Sequence, residues 1–329
     1  MSHSNRAPPM LDYMRSNRRE VIAGVVLIVL LAAYIGTHPR GASTYVMTIW
    51  VNQCLILGLA ACAQFFAVVV RGIDLSVGAV MALTNCLASY LLDGSVLGIA
   101  AGMVAVVAAG ALCGLLNGVI IVYGRIQPIV VTLATASIFV GVALLLRPTP
   151  GGAINYDLAD ALTLDVLGIP TSLIITGVAI LGFWLPFRRT GLGLGLYAVG
   201  SSEQAAFQSG INTKLIRLAA FTLAGTFGGL AGLYYSFVTT TGDAGIAPGF
   251  TLNSIAAVVL GGVLLRGGVG SLIGALAGAF ILKTIASLMF FSGIPSLAQP
   301  LFEGLILAAA IAIGGAEVLR ARNKLEAFS

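Results

Sequence analysis

The sequence offers few side chains at spacings that support catalysis. GAFILKT, residues 278–284, has the glycine and lysine of a phosphate-binding loop, but that loop needs a second glycine directly before the lysine, where Leu282 stands. GLGLG, residues 191–195, lacks the dinucleotide-binding spacing and follows no predicted strand, so we interpret it as a flexible turn beside a membrane span. His3 and His38 have no partners at metal-ligand spacing. The pattern predicts that the chain is not an enzyme.

Charged groups within apolar runs are stronger candidates for a function, because ionisable side chains are costly in a membrane. In RGIDLSVG, residues 71–78, Arg71 can extend to phosphate headgroups and Asp74 can cap the helix that follows. Lys283 and Glu303 are predicted at similar depths in adjacent spans, where they either form an ion pair or line a passage.

Uncharged polar side chains also interrupt the apolar runs. They have two alternative roles. They either hydrogen-bond between helices, or they line a passage and contact a passing solute. These residues are Asn52, Asn85, Asn117, Thr251 and Asn253. The four cysteines lie inside predicted spans without paired spacing, and we interpret them as small packing residues. They are Cys54, Cys62, Cys86 and Cys113.

The composition places these residues in a membrane. Of 329 residues, 58% are hydrophobic and 9% are charged, whereas soluble domains carry about 25% charged residues. The apolar runs reach the roughly 20 residues of a spanning helix and exceed the roughly 10 residues of a barrel strand. The predicted fold class is an all-α polytopic membrane protein. We place about ten transmembrane helices, at 21–37, 45–70, 75–92, 95–122, 128–147, 168–187, 215–240, 249–265, 269–291 and 299–319.

The distribution of basic residues predicts the orientation. With a cytoplasmic N-terminus, fourteen of the seventeen Lys and Arg residues fall on cytoplasmic segments, Arg40 and Arg147 fall on outer segments, and Lys283 lies within a span. This satisfies the positive-inside rule and supports an even number of spans. Both termini are therefore predicted to be cytoplasmic, with a basic tail at 1–20, a transmembrane domain at 21–319 and a short tail at 320–329. The net charge of +5 is interpreted as this topological signal and not as a nucleic-acid-binding surface.

The largest polar interruption, residues 188–217, is predicted to lie in the cytoplasm. Within it, Ser201 and Gln204 match a capping box, EQAAFQS matches a short helix, and Gly210 provides the stop. A short amphipathic helix held in this way is typical of a docking element. The alternative is an interfacial helix resting on lipid, which the acidic Glu203 disfavours.

Two segments indicate an internal duplication. VVVRGIDLSVGAVMAL (68–83) and VLLRGGVGSLIGALAG (263–278) each contain an apolar run, Arg-Gly, three residues, a serine and a helix of small residues. This pattern fits two halves related by an axis along the membrane normal. Glycine-rich membrane sequence also matches itself readily, so chance similarity is the open alternative.

The sequence resembles the permease subunits of bacterial ATP-binding-cassette importers for monosaccharides, of the ribose and galactose type, in three motifs. They are GIDLSVG (72–78), YAVGSSEQAAFQSGIN (197–212) and IAAVVLGG (255–262). The resemblance covers residues 45–319 with the motifs in order. It implies a bacterial inner-membrane protein, a second permease subunit, cytoplasmic ATPase subunits that hold ATP and Mg, and a periplasmic sugar-binding protein. It implies no cofactor bound by this chain.

The resemblance also implies roles for individual residues. The segment matching 197–212 is the helix that couples the permease to the ATPase. Its residues in this chain are Ser201, Ser202, Glu203, Gln204, Ala205, Ala206, Gly210 and Ile211. The first motif is implied to form a gate or structural cap, with direct sugar contact as the alternative. Its residues are Gly72, Asp74, Ser76 and Gly78.

The chain departs from the family pattern at several positions. It has arginine for a common glycine in the first motif, serine for a common asparagine in the second, and replacements of acidic and small residues near the third. These positions are Arg71, Ser202, Thr251, Asn253, Leu265 and Arg266. The departures leave the sugar open among ribose, galactose in pyranose or furanose form, xylose and polyols.

The expected function is therefore that of a transmembrane permease subunit that moves a monosaccharide by alternating access, driven by ATP in partner subunits. A secondary active sugar transporter, or a facilitator channel without an ATPase partner, is the first alternative. It would need membrane-embedded carboxylates for ion coupling, and only Glu303 and Asp74 could serve. A purely structural membrane subunit is the second alternative.

Overall fold

A computed structural model of the chain describes residues 18–295 together with 298, 301, 302, 304, 305 and 308. Within these residues the fold is helical, as predicted, apart from one short hairpin. The predicted span at 299–319, including Glu303, lies largely outside the described residues, as do most of the N-terminal tail and the whole C-terminal tail.

The first half of the bundle consists of long apolar helices with short connections. Their bounds are α1 Arg18–Thr37, α2 Thr44–Val69, α3 Val77–Leu91, α4 Val96–Gly124 and α5 Pro128–Leu146. A short helix and a small hairpin follow. They are α6 Tyr156–Thr163 and the antiparallel pair β1 Asp165–Val166 and β2 Ile169–Pro170.

The second half contains broken and short helices as well as long ones. Helix α7 spans Thr171–Phe187, and its middle, Ala179–Trp184, is π-helical. The remaining helices are α8 Gly191–Ser201, α9 Glu203–Gln208, α10 Thr213–Thr239, α11 Ala247–Leu260 and α12 Leu272–Phe291. A 3₁₀ turn, Ala244–Ile246, precedes α11.

Five helices in the described part are long and apolar enough to cross a membrane, namely α2, α4, α5, α10 and α12. Helices α7 and α8, bent by 78° between them, make a sixth candidate if they are counted as one broken span. The helices α3 and α11 are apolar but shorter, as is the apolar part of α1, Val21–Thr37. Nine of the ten predicted spans therefore coincide with apolar helices, but not all nine have the length of a full span.

Two predicted boundaries are wrong. The span at 249–265 ends early, at Leu260, because Gly261 and Gly262 follow and Gly262 adopts a left-handed φ of 82°. The span at 168–187 begins late, because residues 169 and 170 pair in the hairpin and the helix starts at Thr171.

Helix α2 lies in the interior of the bundle, and α10 packs against α2, α3 and α4. The most apolar stretch of α2 is 83% buried, against 17% for α4, so α4 lies at the periphery. Helices α4 and α10 approach through glycines, since a Cβ added at Gly110 would lie 2.7 Å from the Cα of Gly229. Small residues thus bring the backbones together, as expected for membrane helices.

The bundle has two distinct ends. The first, here called the Arg71 end, holds the α2–α3 connection, α8, α9 and the α11–α12 connection, which contact one another. The opposite end holds α6, the hairpin and the α10–α11 connection. There Gly151 and Gly242 form an isolated β-bridge, and the Asn155 N–H donates to the Leu92 carbonyl at 2.8 Å.

Candidate functional site

The predicted docking helix is present as α9, but its cap differs from the predicted one. Ser202 is the N-cap residue, and its hydroxyl accepts the Ala205 N–H at 3.2 Å. Ser201 is instead the last residue of α8. The predicted capping box of Ser201 with Gln204 is therefore wrong by one residue, because the last turn of α8 extends through Ser201 and leaves Ser202 to cap α9.

The end of α9 forms as predicted. Gly210 adopts a left-handed φ of 79°, and the Ile211 N–H donates to the Ala206 carbonyl at 3.0 Å. Ala206 is buried against the bundle, whereas Phe207 is 71% exposed. Gln204 and Ala205 are also exposed. The helix is thus anchored on one side and presents an apolar ring to the surroundings on the other.

GLGLG is not a flexible turn, contrary to the prediction. It forms the first turns of α8, begun by the Thr190 hydroxyl, which accepts the Gly193 N–H at 3.1 Å. The glycines permit close packing, because a Cβ at Gly195 would lie 2.5 Å from Ile216 Cδ1. A Cβ at Gly200 would overlap the Val69 carbonyl oxygen. Gly195, and Gly200 further along the same helix, thus serve close contact between elements.

Arg71 joins the first motif to the docking segment. Its Nε donates to the Gly200 carbonyl at 2.6 Å, and its Nη2 donates to the Ser201 carbonyl. A cation at these carbonyls also complements the negative end of the α8 dipole. The prediction that Arg71 extends to lipid headgroups is wrong, since helix-end carbonyls bind its guanidinium.

The two segments of the possible duplication meet at the same place. The Gly268 N–H donates to the Val69 carbonyl at 2.9 Å, so the connection after α11 lies against the connection after α2. In both segments Arg-Gly follows a helix end and precedes the next helix. A true repeat remains a prediction.

Asp74 begins a buried network of hydrogen bonds. Its Oδ1 accepts from the backbone N–H and the hydroxyl of Ser76, at 2.8 Å and 2.6 Å. The Ser76 hydroxyl in turn accepts from Asn117 Nδ2 at 2.8 Å, and the Asn117 Oδ1 accepts from the Thr135 hydroxyl at 2.7 Å. Three helices, α3, α4 and α5, are thereby tied together at one point.

Asp74 does not cap the first turn of α3 directly, contrary to the prediction. It positions the N-cap residue Ser76 instead. Burial raises the pKa of the Asp74 carboxyl, and the two hydrogen bonds from Ser76 lower it. Gln64 of α2 holds the Asp74 backbone on the other side, when its amide is oriented to donate to the Asp74 carbonyl at 2.8 Å. Sequence reasoning missed Gln64 and Thr135, because nothing local marks either as a partner of Asp74.

The glycines of the first motif allow close packing. A Cβ at Gly72 would lie 2.8 Å from Cζ of Phe221. A Cβ at Gly78 would overlap the Ala247 carbonyl oxygen and the Thr251 hydroxyl, so α3 and α11 touch here. These contacts fit the structural alternative for the motif.

Three of the predicted polar residues bond across the fold. Asn52 donates to the Thr163 carbonyl at 2.8 Å and accepts from the Tyr234 hydroxyl at 2.9 Å. Asn85 donates to the Thr241 carbonyl at 2.9 Å and accepts the Asp243 N–H at 2.7 Å. With Asn117, these amides have the interhelical role that the sequence left open as an alternative to lining a passage.

The polar residues of α11 are less engaged. The Thr251 hydroxyl donates to the Ala247 carbonyl of its own helix at 3.0 Å. Asn253 is partly buried, and within the described residues its side chain has no hydrogen bond. Lys283 of α12 lies 5.7 Å from the ring centroid of Phe250, while its predicted partner Glu303 lies outside the described residues. Asn253 is thus the predicted lining residue whose amide is available to a solute.

A bundle of apolar helices, with a short capped helix and an arginine-bound helix end at one end and a buried polar network nearby, has the architecture of an integral membrane protein. The chain belongs to the family described as branched-chain amino acid transport system / permease component, whose model matches residues 46–312. No solved structure matches the chain at a significant level.

Curated relatives agree with this assignment. The chain is 30% identical to the ribose import permease protein RbsC of Escherichia coli, over 88% of this chain and 91% of the relative. It is 30% identical to the D-allose transport system permease protein AlsC of Escherichia coli, over 79% and 80%. It is 27% identical to the autoinducer 2 import system permease protein LsrD of Escherichia coli, over 88% and 89%. The resemblance drawn from three motifs is confirmed, and the chain belongs to a family of transport permeases.

Proposed function

We propose that the chain is the transmembrane permease subunit of an ATP-driven importer that carries a monosaccharide across the bacterial inner membrane. Two of the relatives named above carry ribose or D-allose in their names, and both are monosaccharides. The observation that carries the proposal is α9, a short capped helix that buries Ala206 and exposes Phe207. It follows directly on the end of α8, whose carbonyls bind Arg71 beside the first motif.

The proposal places the Arg71 end in the cytoplasm, with ten spans and both termini on that side. The basic residues Arg71, Arg125 and Arg217 lie at this end, together with α9, whereas Arg147 lies at the opposite end beside Ser89. This distribution follows the positive-inside rule.

The proposed partners follow from the chemistry that this chain lacks. The helical placement of its GAFILKT segment inside α12 supports assigning ATP and Mg to cytoplasmic ATPase subunits that dock on α9. A second permease subunit completes the passage, and a periplasmic binding protein delivers the sugar. Closure of the ATPase pair moves α9, and Arg71 transmits that movement to the α2–α3 connection.

Reconstitution tests the proposal. Purified chain in liposomes should import sugar only with ATP, the ATPase subunits and the binding protein present. Sugar import by the chain alone, driven by an ion gradient or by the sugar gradient, would show a secondary transporter or a facilitator instead. ATP-driven import of a solute of another class would support the proposed ATP-driven importer but contradict a monosaccharide as its substrate.

Glu203→Arg is expected to reduce sugar-stimulated ATPase activity roughly tenfold, because it reverses the charge of the docking face and also repels Arg217. In the native chain, Glu203 pairs with Arg217 at 3.4 Å. The double variant Glu203→Arg with Arg217→Glu restores an internal ion pair and is the matched control. If Glu203 contacts the ATPase, the double variant stays impaired. Recovery of full activity would limit Glu203 to an internal role.

Arg71→Gln is expected to lower the amount of sugar imported per ATP hydrolysed roughly tenfold, while the complex still assembles. The reason is that it removes charge-assisted hydrogen bonds to two carbonyls. Arg71→Lys keeps the charge without the forked geometry and should recover coupling in part. Arg266→Gln, at the same end, is the control expected to leave coupling unchanged. Equal effects of Arg71→Gln and Arg266→Gln on import per ATP would contradict the link.

A further inference from the structure

A second polar feature lies beside α9 at the Arg71 end. A pocket of about 390 Å³ forms where the α4–α5 connection meets α9 and the start of α10. We call it the basic pocket. Arg125 ends α4 in a left-handed conformation with a φ of 55°, and Pro128 begins α5. Arg125 lines the pocket together with Lys214 and Arg217 of α10.

The basic pocket has an excess of positive charge. Arg125, Lys214 and Arg217 line it, and Glu203 is its acidic residue. Glu203 bonds Arg217 weakly, at 3.4 and 3.5 Å, and this partly exposed pair contributes little energy. In the described part of the chain, Arg125 and Lys214 have no side-chain hydrogen bond or ion pair. The pocket therefore holds two uncompensated cations.

Arg217 adds a further unmet donor. Its Nε is buried and has no hydrogen-bond partner within the described structure, although its Nη1 faces Glu203. A buried donor without an acceptor is costly, and a ligand oxygen would satisfy it. The arrangement thus favours an anion with several acceptor oxygens.

The other wall of the pocket is apolar. Ile121, Ile126 and Pro128 line it, and the neighbouring Ile129 and Val130 are exposed on the outer face of α5. An apolar surface of this kind at the end of two apolar helices is suited to contact with acyl chains. The pocket therefore combines a site for an anionic head with a surface for a hydrocarbon tail.

We propose that the basic pocket binds the phosphate of an anionic phospholipid, whose acyl chains lie along α4 and α5. Basic pockets between membrane helices recognise such headgroups. Arg125 and Lys214 neutralise the phosphate, and Arg217 donates to it in competition with Glu203. A bound lipid would thus release the Glu203 carboxylate from Arg217, at the edge of the docking helix. The lipid site itself does not depend on which solute is carried.

Lipid retention on purified chain tests the proposal by native mass spectrometry. The chain is transferred from mixed phosphatidylglycerol and phosphatidylcholine into detergent, and bound lipid per chain is counted. Arg125→Gln with Lys214→Gln should bind phosphatidylglycerol roughly 30-fold more weakly, because each basic residue contributes about a fivefold factor. Arg188→Gln with Arg189→Gln removes the same charge outside the pocket and should retain the lipid. Glu203→Gln removes the competing carboxylate and should bind it more tightly.

Several outcomes would overturn the proposal. Equal lipid retention by the two double variants would show that the basic pocket is not the lipid site. Weaker lipid binding by Glu203→Gln would contradict competition between Glu203 and the phosphate for Arg217. Native chain that retains phosphatidylcholine equally well has no anionic preference. Inorganic phosphate that displaces phosphatidylglycerol at millimolar concentration would make the site one for free phosphate. A pocket variant that keeps lipid but loses the ATPase partner would assign the pocket to protein contact.

Discussion

Gly200→Ala is expected to lower the yield of folded, monodisperse protein by about tenfold or more. The added Cβ would overlap the Val69 carbonyl oxygen and lie 2.9 Å from the Gly268 Cα. Both neighbours are backbone, so no side-chain rotation relieves the clash, and overpacking of this kind costs about 1–3 kcal/mol or more. Fluorescence-detected size-exclusion chromatography of the solubilised variant measures the loss.

Gly191→Ala is the matched control for Gly200→Ala. It lies in the same helix, α8, and a Cβ there has no neighbour within 4 Å. Alanine also favours helix over glycine, by up to about 1 kcal/mol, so the yield should be unchanged or slightly higher. Equal yields for the two variants would show that the Arg71 end does not require close contact at Gly200.

Asp74→Ala is expected to unfold or misassemble most of the protein. The substitution leaves the N–H and the hydroxyl of Ser76 without their acceptor, inside a buried network that also includes Asn117. Two unpaired buried donors cost roughly 2–6 kcal/mol, which is a large fraction of the stability of a typical domain, about 5–15 kcal/mol. Thermal unfolding in detergent, followed by the fluorescence of the native tryptophans, measures the effect.

Asp74→Asn separates the structural role from a role in sugar recognition. An amide oxygen can still accept from Ser76. Burial also raises the pKa of the Asp74 carboxyl, which favours a neutral group at this position. The loss of stability should therefore be clearly smaller than for Asp74→Ala, and the sugar preference should not change. A variant with native stability and coupling but an altered sugar preference would instead place Asp74 in contact with the sugar.

The helices were largely predictable because their signals are local. Apolar runs of spanning length place α2, α4 and α5 within two residues of their observed ends. The α9 helix was predicted from a polar start and the glycine at Gly210, since caps depend on residues a few positions apart. The end of α11 was missed because hydropathy continues past Gly261, although the backbone turns there.

The composition and motifs of the sequence alone determined the membrane class, the order of the helices and the family. Only the tertiary structure decided which polar groups meet. Arg71 reaches Gly200, and Asn117 reaches Ser76, across 129 and 41 positions of the chain. Such partners depend on how helix faces pack, and a sequence pattern records only which residues share a face. For the same reason GLGLG resembled a flexible turn, whereas two of its glycines, Gly193 and Gly195, lie where a side chain would clash with a neighbouring element.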